Sequence, residues 1–221
     1  MSQSDWAYLS NDLIYVALAL YALSFLSYTY ETAFSLRANK ISGDKHLDRS
    51  ITTKSRKVAS IVFLLATASL TLAVIARGIS AERIPLGNMY EYSITGAMTF
   101  ALAYLIIGLK FDLSWLGLPS SILILLILGT AITLLYRPSA PLVPALQSSW
   151  LVIHVSSAIL SGGIFLLSNT VAGAYLWLDR IERKGERSEF AKRFPSLESL
   201  DQLSYRLVAF VFPLWTFAVI S

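Results

Sequence analysis

Residues 58–76 read VASIVFLLATASLTLAVIA, 19 residues without a charge between Lys57 and Arg77. A helix needs roughly 20 mostly apolar residues to cross the hydrocarbon core of a bilayer, so this run predicts a membrane span. Five further runs approach or meet the same length, at about 11–32, 90–109, 118–136, 150–178 and 203–221. The sequence therefore predicts an all-α polytopic membrane protein with about six transmembrane helices.

The composition leads to the same class. Hydrophobic residues make up 55% of the 221 and charged residues only 14%, whereas soluble domains carry about 25% charge. With a mean hydropathy of +0.61, a soluble enzyme, a disordered tail and a nucleic-acid binder are excluded. There is no Cys, which rules out disulfides, thiolate metal sites and covalent attachment of a cofactor through sulfur. No internal repeat or linker divides the chain, so residues 1–221 are expected to form a single membrane domain.

Basic residues predict the orientation, because short loops rich in Lys and Arg stay in the cytoplasm. Loops 35–57 and 179–202, with Lys110 and Arg206, hold 15 of the 18 Lys and Arg. The opposite side holds only three, which are Arg77, Arg83 and Arg137. We therefore expect a multi-pass protein of the plasma membrane, with loops 35–57 and 179–202 cytoplasmic and the N-terminus extracytoplasmic.

The sixth run begins after Ser199–Gln202, which reads as a capping box, and continues apolar to the last residue. A span that ends flush with the far face of the membrane is unusual. We therefore expect the chain to be part of a longer protein.

The two histidines differ in setting. His46 lies in the charged stretch 43–49 and is expected to be solvated. His154 lies four residues after Trp150, near the outer mouth of span five, where a polar ring needs a partner or a ligand. Its helical neighbours are small, namely Ser157, Ala158, Ser161, Gly162 and Gly163. Either these residues let another helix pack closely, with His154 bonded across the contact, or they leave room for a flat ligand beneath the imidazole.

The stretch 85–92 reads PLGNMYEY at the outer end of span three. Asn88 is placed to cap the helix, and Glu91 to reach back to the cap amide, as in a capping box. A second interpretation is that Asn88, Tyr90, Glu91 and Trp150 form the rim of a site at the His154 mouth. Spacing alone does not decide between the two.

Four motifs, taken in order, resemble the CcsA/ResC family of cytochrome c biogenesis proteins, called CcsB in actinobacteria. They are PLGNMYE at 85–91, LVPALQ at 142–147 leading into WLVIHV at 150–155, LDQLSYR at 200–206, and FPL at 212–214. The resemblance covers nearly the whole chain. It implies the haem-handling subunit of maturation system II, which passes haem b to the outer face of the membrane.

The resemblance also implies partners and a ligand. His154 matches the first of the family's two external histidines, which ligate haem iron. The implied partners are a ResB-like membrane subunit and an apocytochrome c, whose CxxCH motif receives the haem, in addition to the lipid bilayer. In the family a tryptophan-rich external loop and a second external histidine follow the Phe-Pro-Leu span. The chain stops before them, so activity as a cytochrome c synthase, or haem lyase, is not expected of these 221 residues alone.

A different class of function stays open. Imidazole is a normal axial ligand of haem iron, but a bis-histidine electron carrier needs two intramembrane histidines and the spans contain one. The alternative is a membrane transporter or assembly scaffold without a cofactor, in which His154 serves helix packing. No nucleophilic triad, paired carboxylates or phosphate-binding loop indicates hydrolysis.

Overall fold

The computed structural model describes residues 2–41, 45–140, 148–185 and 190–220, and all regular structure in them is helical. Six long helices follow one another, which are α1 Gln3–Ile41, α2 Lys45–Ala81, α3 Met89–Gly108, α4 Gly117–Thr130, α5 Ser149–Arg183 and α6 Leu197–Ile220. A 3₁₀ turn precedes α4 at Ser114–Leu116, and a π-helical turn at Ala131–Leu135 continues it. These helices provide six segments long and apolar enough to cross a membrane. The prediction of an all-α polytopic membrane protein is confirmed.

Several helices are longer than their apolar runs. α1 and α2 were expected to cover 11–32 and 58–76 with a loop at 35–57, but they continue through most of that interval. Likewise α5 continues to Arg183, inside the loop expected at 179–202. Hydropathy reports only the part of a helix that suits lipid, and Lys, Arg and Glu extend a helix into water at little cost. His46 falls in the first turn of α2, and its side chain is outside the described part of the chain.

The start of α6 also differs from the sequence prediction. The helix begins at Leu197 rather than after a cap at Ser199. Ser196 precedes it, and its Oγ accepts a hydrogen bond from the Ser199 amide at 3.3 Å. Ser196 therefore takes the capping role, three residues earlier than expected, because the first turn is polar and lies outside the apolar run.

α1 and α2 form an antiparallel hairpin fastened by serines. Ser10 donates to the carbonyl of Ala73 at 2.8 Å, and Ser24 to that of Ala59 at 3.0 Å. From the other helix, Ser69 donates to the Leu13 carbonyl at 2.9 Å. Small residues at a membrane interface let two backbones approach closely enough for such bonds. The hairpin is thus held by hydroxyl-to-carbonyl bonds along its length.

α5 packs between α3 and α6. On the α3 side, a Cβ added to Gly163 would lie 2.5 Å from Thr99 Oγ1 and 2.9 Å from the Phe100 amide nitrogen. On the α6 side, Ser168 Oγ donates to the Ser204 carbonyl at 3.1 Å. Gly163 therefore lets α5 pack closely on α3.

Long-range bonds define the two ends of the bundle. At one end, which we call the Glu91 end, Gln3 Nε2 donates to Glu82 Oε1 at 2.6 Å and Asn11 Nδ2 donates to the Tyr136 hydroxyl at 3.0 Å. At the other, the basic end, Arg193 on the segment before α6 reaches Glu31 on α1. Segments that the sequence assigned to opposite faces of the membrane thus lie at opposite ends.

Two neighbouring glycines of α5 test the packing on α3. We expect Gly163→Ala to lower the free energy of unfolding by about 1–3 kcal/mol, the usual cost of overpacking. The matched change Gly162→Ala has open space around the new methyl group and should be neutral or stabilising by up to about 1 kcal/mol. Thermal unfolding of both variants in detergent checks this. Equal midpoints would contradict the α3–α5 contact.

Candidate functional site

The start of α3 is capped as the sequence predicts. Asn88 has an extended backbone, and its Oδ1 accepts a hydrogen bond from the Glu91 amide at 2.9 Å. The Glu91 carboxylate does not complete a standard capping box, because its Oε2 accepts from the Gly87 amide at 2.8 Å, one residue before the cap. The carboxylate thereby closes the turn that leads into α3 rather than the cap itself.

Glu91 is buried between two guanidinium groups. Its Oε1 lies 3.2 Å from Arg77 Nε, and its Oε2 lies 2.8 Å from Arg83 Nη1. The side chains of Glu91 and Arg77 are 0% and 1% exposed, and that of Arg83 is 15% exposed. Buried charges are tolerated only when they are paired and hydrogen-bonded. We call these three residues the Glu91 cluster.

The Glu91 cluster extends to the segment after α4. Arg77 Nη2 donates to the Arg137 carbonyl at 2.6 Å, and Arg83 Nη2 donates to the Ala140 carbonyl at 3.1 Å. The Arg77 guanidinium also lies over the Tyr90 ring, 5.2 Å from its centroid, an arrangement that stabilises a cation. The cluster therefore joins α2, the turn after it, the start of α3 and the 137–140 segment.

Local geometry explains how the chain turns back to form the Glu91 cluster. α2 ends in a Schellman-type motif, in which Glu82 has a φ of 51° and the Arg83 amide donates to the Gly78 carbonyl at 3.2 Å. Farther along the turn, a Cβ on Gly87 would lie 2.7 Å from Arg83 Nη1. Glycine at position 87 therefore leaves the space that the Arg83 guanidinium occupies.

His154 lies at the same end of the bundle, on a different flank. It is half-buried, one turn after Trp150 in α5. The Trp150 ring lies 6.1 Å from the Phe217 ring, which places the first turns of α5 beside the last turn of α6. Trp150 is 53% exposed, and Ile153 and Phe217 are also exposed. The part of α5 that carries the imidazole thus presents apolar side chains that are open to the surroundings.

The residues that the second interpretation assigned to one rim fall into two groups. Asn88, Tyr90 and Glu91 belong to the start of α3, where Tyr90 and Glu91 are buried against α2 and the segment after α4. Trp150 lies with His154 beside α6. The Ser157 and Ser161 hydroxyls donate to the carbonyls four residues earlier, at 2.8 and 2.7 Å. These serines are therefore satisfied within α5.

Sequence reasoning missed two charged clusters. Arg77 and Arg83 were counted only as loop charges, and Glu31, inside the first apolar run, was not singled out. Glu31 is buried and paired with Arg56 and Arg193 at the basic end. A signal was present in both cases, because a carboxylate inside an apolar run predicts a nearby cation. Which cation it meets depends on the tertiary fold.

The Glu91 cluster predicts a strong asymmetry between two acid-to-amide changes. We expect Glu91→Gln to lower the free energy of unfolding by about 3–5 kcal/mol, because it leaves two buried guanidiniums without a counter-charge. The control Asp179→Asn removes an exposed pair with Arg183 and should cost no more than about 0.5 kcal/mol. Thermal unfolding in detergent measures both, and a Glu91→Gln midpoint equal to that of the control would refute the role of the cluster.

The chain is similar in sequence to known proteins. Residues 86–221 match the family model described as "Cytochrome C assembly protein". The chain is similar to the cytochrome c biogenesis protein CcsA of Guillardia theta, with 32% identity over 178 residues, covering 72% of this chain and 58% of the relative. It is also similar to CcsA of Porphyra purpurea, with 27% identity over 203 residues, covering 75% and 64%.

A shorter match has higher identity. CcsA of Chlorella vulgaris is 40% identical over 114 residues, covering 50% of this chain and 36% of the relative. The chain thus spans about three fifths of the length of the first two relatives. The family match extends from the turn before α3 to the end of the chain, and so includes Glu91 and His154. The chain belongs to the cytochrome c assembly protein family.

Proposed function

We propose that this chain takes part in cytochrome c assembly by holding haem b, as a substrate, at His154. The observation that carries the proposal is the position of this imidazole. It is half-buried, one turn after Trp150, in a part of α5 where Trp150, Ile153 and the neighbouring Phe217 are exposed. Imidazole is a normal axial ligand of haem iron. Aromatic and aliphatic side chains suit the flat apolar face of a porphyrin.

The proposal assigns the two ends of the bundle to two compartments. The basic end is cytoplasmic, because it holds 15 of the 18 Lys and Arg. The Glu91 end, with His154, then lies at the outer face of the plasma membrane. The Glu91 cluster supports this site indirectly, since it fixes residues 137–140 of the connection between α4 and α5.

The chemistry of attachment belongs to the client protein. In a thioether bond to haem, a cysteine thiol adds across a vinyl group, so that sulfur bonds to one carbon and the thiol proton goes to the other. This chain has no Cys, and the thiols are therefore those of an apocytochrome c CxxCH motif. The role of the chain is to present haem to them, together with a ResB-like membrane subunit.

Replacing His154 tests the haem site. We expect His154→Gly, in the full-length protein purified from haem-replete cells, to lower Soret absorbance per protein by about tenfold, the scale at which damage to a metal site weakens binding. Added imidazole should restore the band, because it fills the space left by the side chain. His46→Gly is the control, since it removes the other histidine at the opposite end of the bundle.

A transporter or scaffold without a cofactor predicts the opposite result for the haem spectrum. If His154 serves only helix packing in a transporter or scaffold, the haem spectrum is the same in all three proteins. Unfolding midpoints recorded in parallel show whether His154→Gly is folded. A folded variant that keeps its full Soret band would exclude His154 as the ligand.

The lack of Cys makes the orientation directly testable. Single cysteines at Lys110 and Arg137 lie at opposite ends of the bundle, and both side chains are exposed. We expect a membrane-impermeant maleimide to label Arg137→Cys in intact cells and Lys110→Cys only after permeabilisation. The cysteine-free parent is the blank. Labelling with the reverse pattern would overturn the assignment of the Glu91 end to the outer face.

A further inference from the structure

A cavity of about 260 Å³ lies near the basic end, between α1, the start of α4, α5 and the segment 190–194. Its walls are mostly aromatic and aliphatic, with Trp115, Leu118, Pro119, Trp177, Phe190 and Phe194 contributing. Small-molecule sites in proteins are typically concave, apolar and provided with a few polar groups at defined places. This cavity is distant from His154, which lies at the opposite end of the bundle.

The charged groups of the lining lie at one end of the cavity. Glu31, Ser114 and Arg193 line the part next to the loops. Toward the membrane interior, the α5 side of the lining extends from Trp177 to Thr170, about 10 Å along the helix at 1.5 Å per residue. The Thr170 hydroxyl there donates to the Leu166 carbonyl at 2.7 Å and requires no further partner. The cavity is therefore polar at the interface and apolar at depth.

The walls at the interface are aromatic. The Trp115 and Phe194 rings lie 5.2 Å apart, as do those of Trp177 and Phe194. Tryptophan prefers the interface between membrane and water. Among the described residues, no acceptor meets the buried Trp115 Nε1, although a buried indole N–H usually finds one.

Charge at the mouth of the cavity is organised around Glu31. Arg193 Nη2 lies 2.7 and 2.5 Å from the two Glu31 oxygens, and Arg56 Nη2 lies 3.0 Å from Oε1. Arg56 also faces Asp112, a carboxyl whose pKa is held below its usual value by hydrogen bonds from Ser114 and by the Arg56 charge. The two guanidiniums are therefore matched locally by two carboxylates.

Excess positive charge comes from the surroundings of the cavity. The sequence assigns to this end 15 Lys and Arg against ten Asp and Glu. Lys192 is exposed on the segment 190–194, which lines the cavity. Basic residues at a membrane surface attract anionic lipid head groups. A ligand with an acidic head group and an apolar tail would match both the excess positive charge at this end and the apolar walls of the cavity.

We propose that this cavity binds one acyl chain of an anionic phospholipid, with the head group at the mouth, beside Lys192. The chain lies against Trp115, Trp177 and Leu118, and the head group stays at the level of the loops. Such a lipid would seal the gap between α1, α4 and α5. The proposal does not depend on haem binding at His154.

Native mass spectrometry of the full-length protein tests this. The protein is exchanged into detergent with equal amounts of phosphatidylglycerol and phosphatidylcholine and then stripped of loosely bound lipid. We expect one retained lipid, with phosphatidylglycerol favoured about fivefold, the factor that one basic residue near a head group contributes. Lys192→Gln should remove this preference while a lipid is still retained, and it leaves the pair between Glu31 and Arg193 in place.

Two leucine substitutions on neighbouring residues test the location. Ala174 lines the cavity, so Ala174→Leu fills it and should abolish lipid retention. Gly173→Leu adds a larger group where the structure has open space and should leave retention unchanged. Thr170→Leu fills the deep end and provides a second occluding variant if Ala174→Leu does not fold.

Three results would overturn the proposal. The first is that the wild type retains no lipid, and the second is that a folded occluding variant retains as much lipid as Gly173→Leu. The third is that haemin, added as a probe, binds to the wild type but not to Ala174→Leu while no phospholipid is retained. This last result would assign the cavity to a porphyrin.

Discussion

The ion pair between Arg77 and Glu91 holds the Glu91 end of the bundle together, because neither group can be left alone in a medium without water. Arg77 comes from α2 and Glu91 from the first turn of α3, and both are almost fully buried. Arg83 and two carbonyl groups of residues 137–140 complete the cluster. Hydropathy treats the turn after α2 and the segment 137–140 as separate loops. Through this pair and its neighbours they are joined to each other and to the start of α3.

The basic end has the same kind of arrangement, a buried carboxylate between two arginines. Glu31 is buried on α1 and receives Arg56 from α2 and Arg193 from the segment before α6. In each cluster one carboxylate on a helix collects two arginines from other segments. Between the two ends, contacts are made by small residues and hydroxyl groups, such as Ser10, Ser24 and Gly163. Ion pairs thus hold the helices together at the two ends of the bundle, and close packing of small residues holds them together between the ends.

The sequence predicted the number of helices, their order and the Asn88 cap, because these depend on local patterns of apolar and capping residues. It misplaced the ends of α1, α2 and α6, since hydropathy measures suitability for lipid and a helix continues wherever its backbone bonds are made. One of its two interpretations of the stretch 85–92 put Asn88, Tyr90 and Glu91, with Trp150, on a rim at the His154 mouth. Tyr90 and Glu91 instead turn toward α2, a choice that depends on the position of Arg77 and that no single-sequence pattern reveals.

The serine-fastened hairpin of α1 and α2 has a consequence for the order in which the protein is made. Its bonds connect residues within the first 81 positions, so it can assemble in the membrane before α3 leaves the ribosome. Glu31 already has Arg56 within that hairpin, but Arg77 has no carboxylate partner until Glu91 is synthesised. In the nascent hairpin the Arg77 guanidinium, at the Glu91 end, therefore lacks this counter-charge, and the arrival of α3 supplies it.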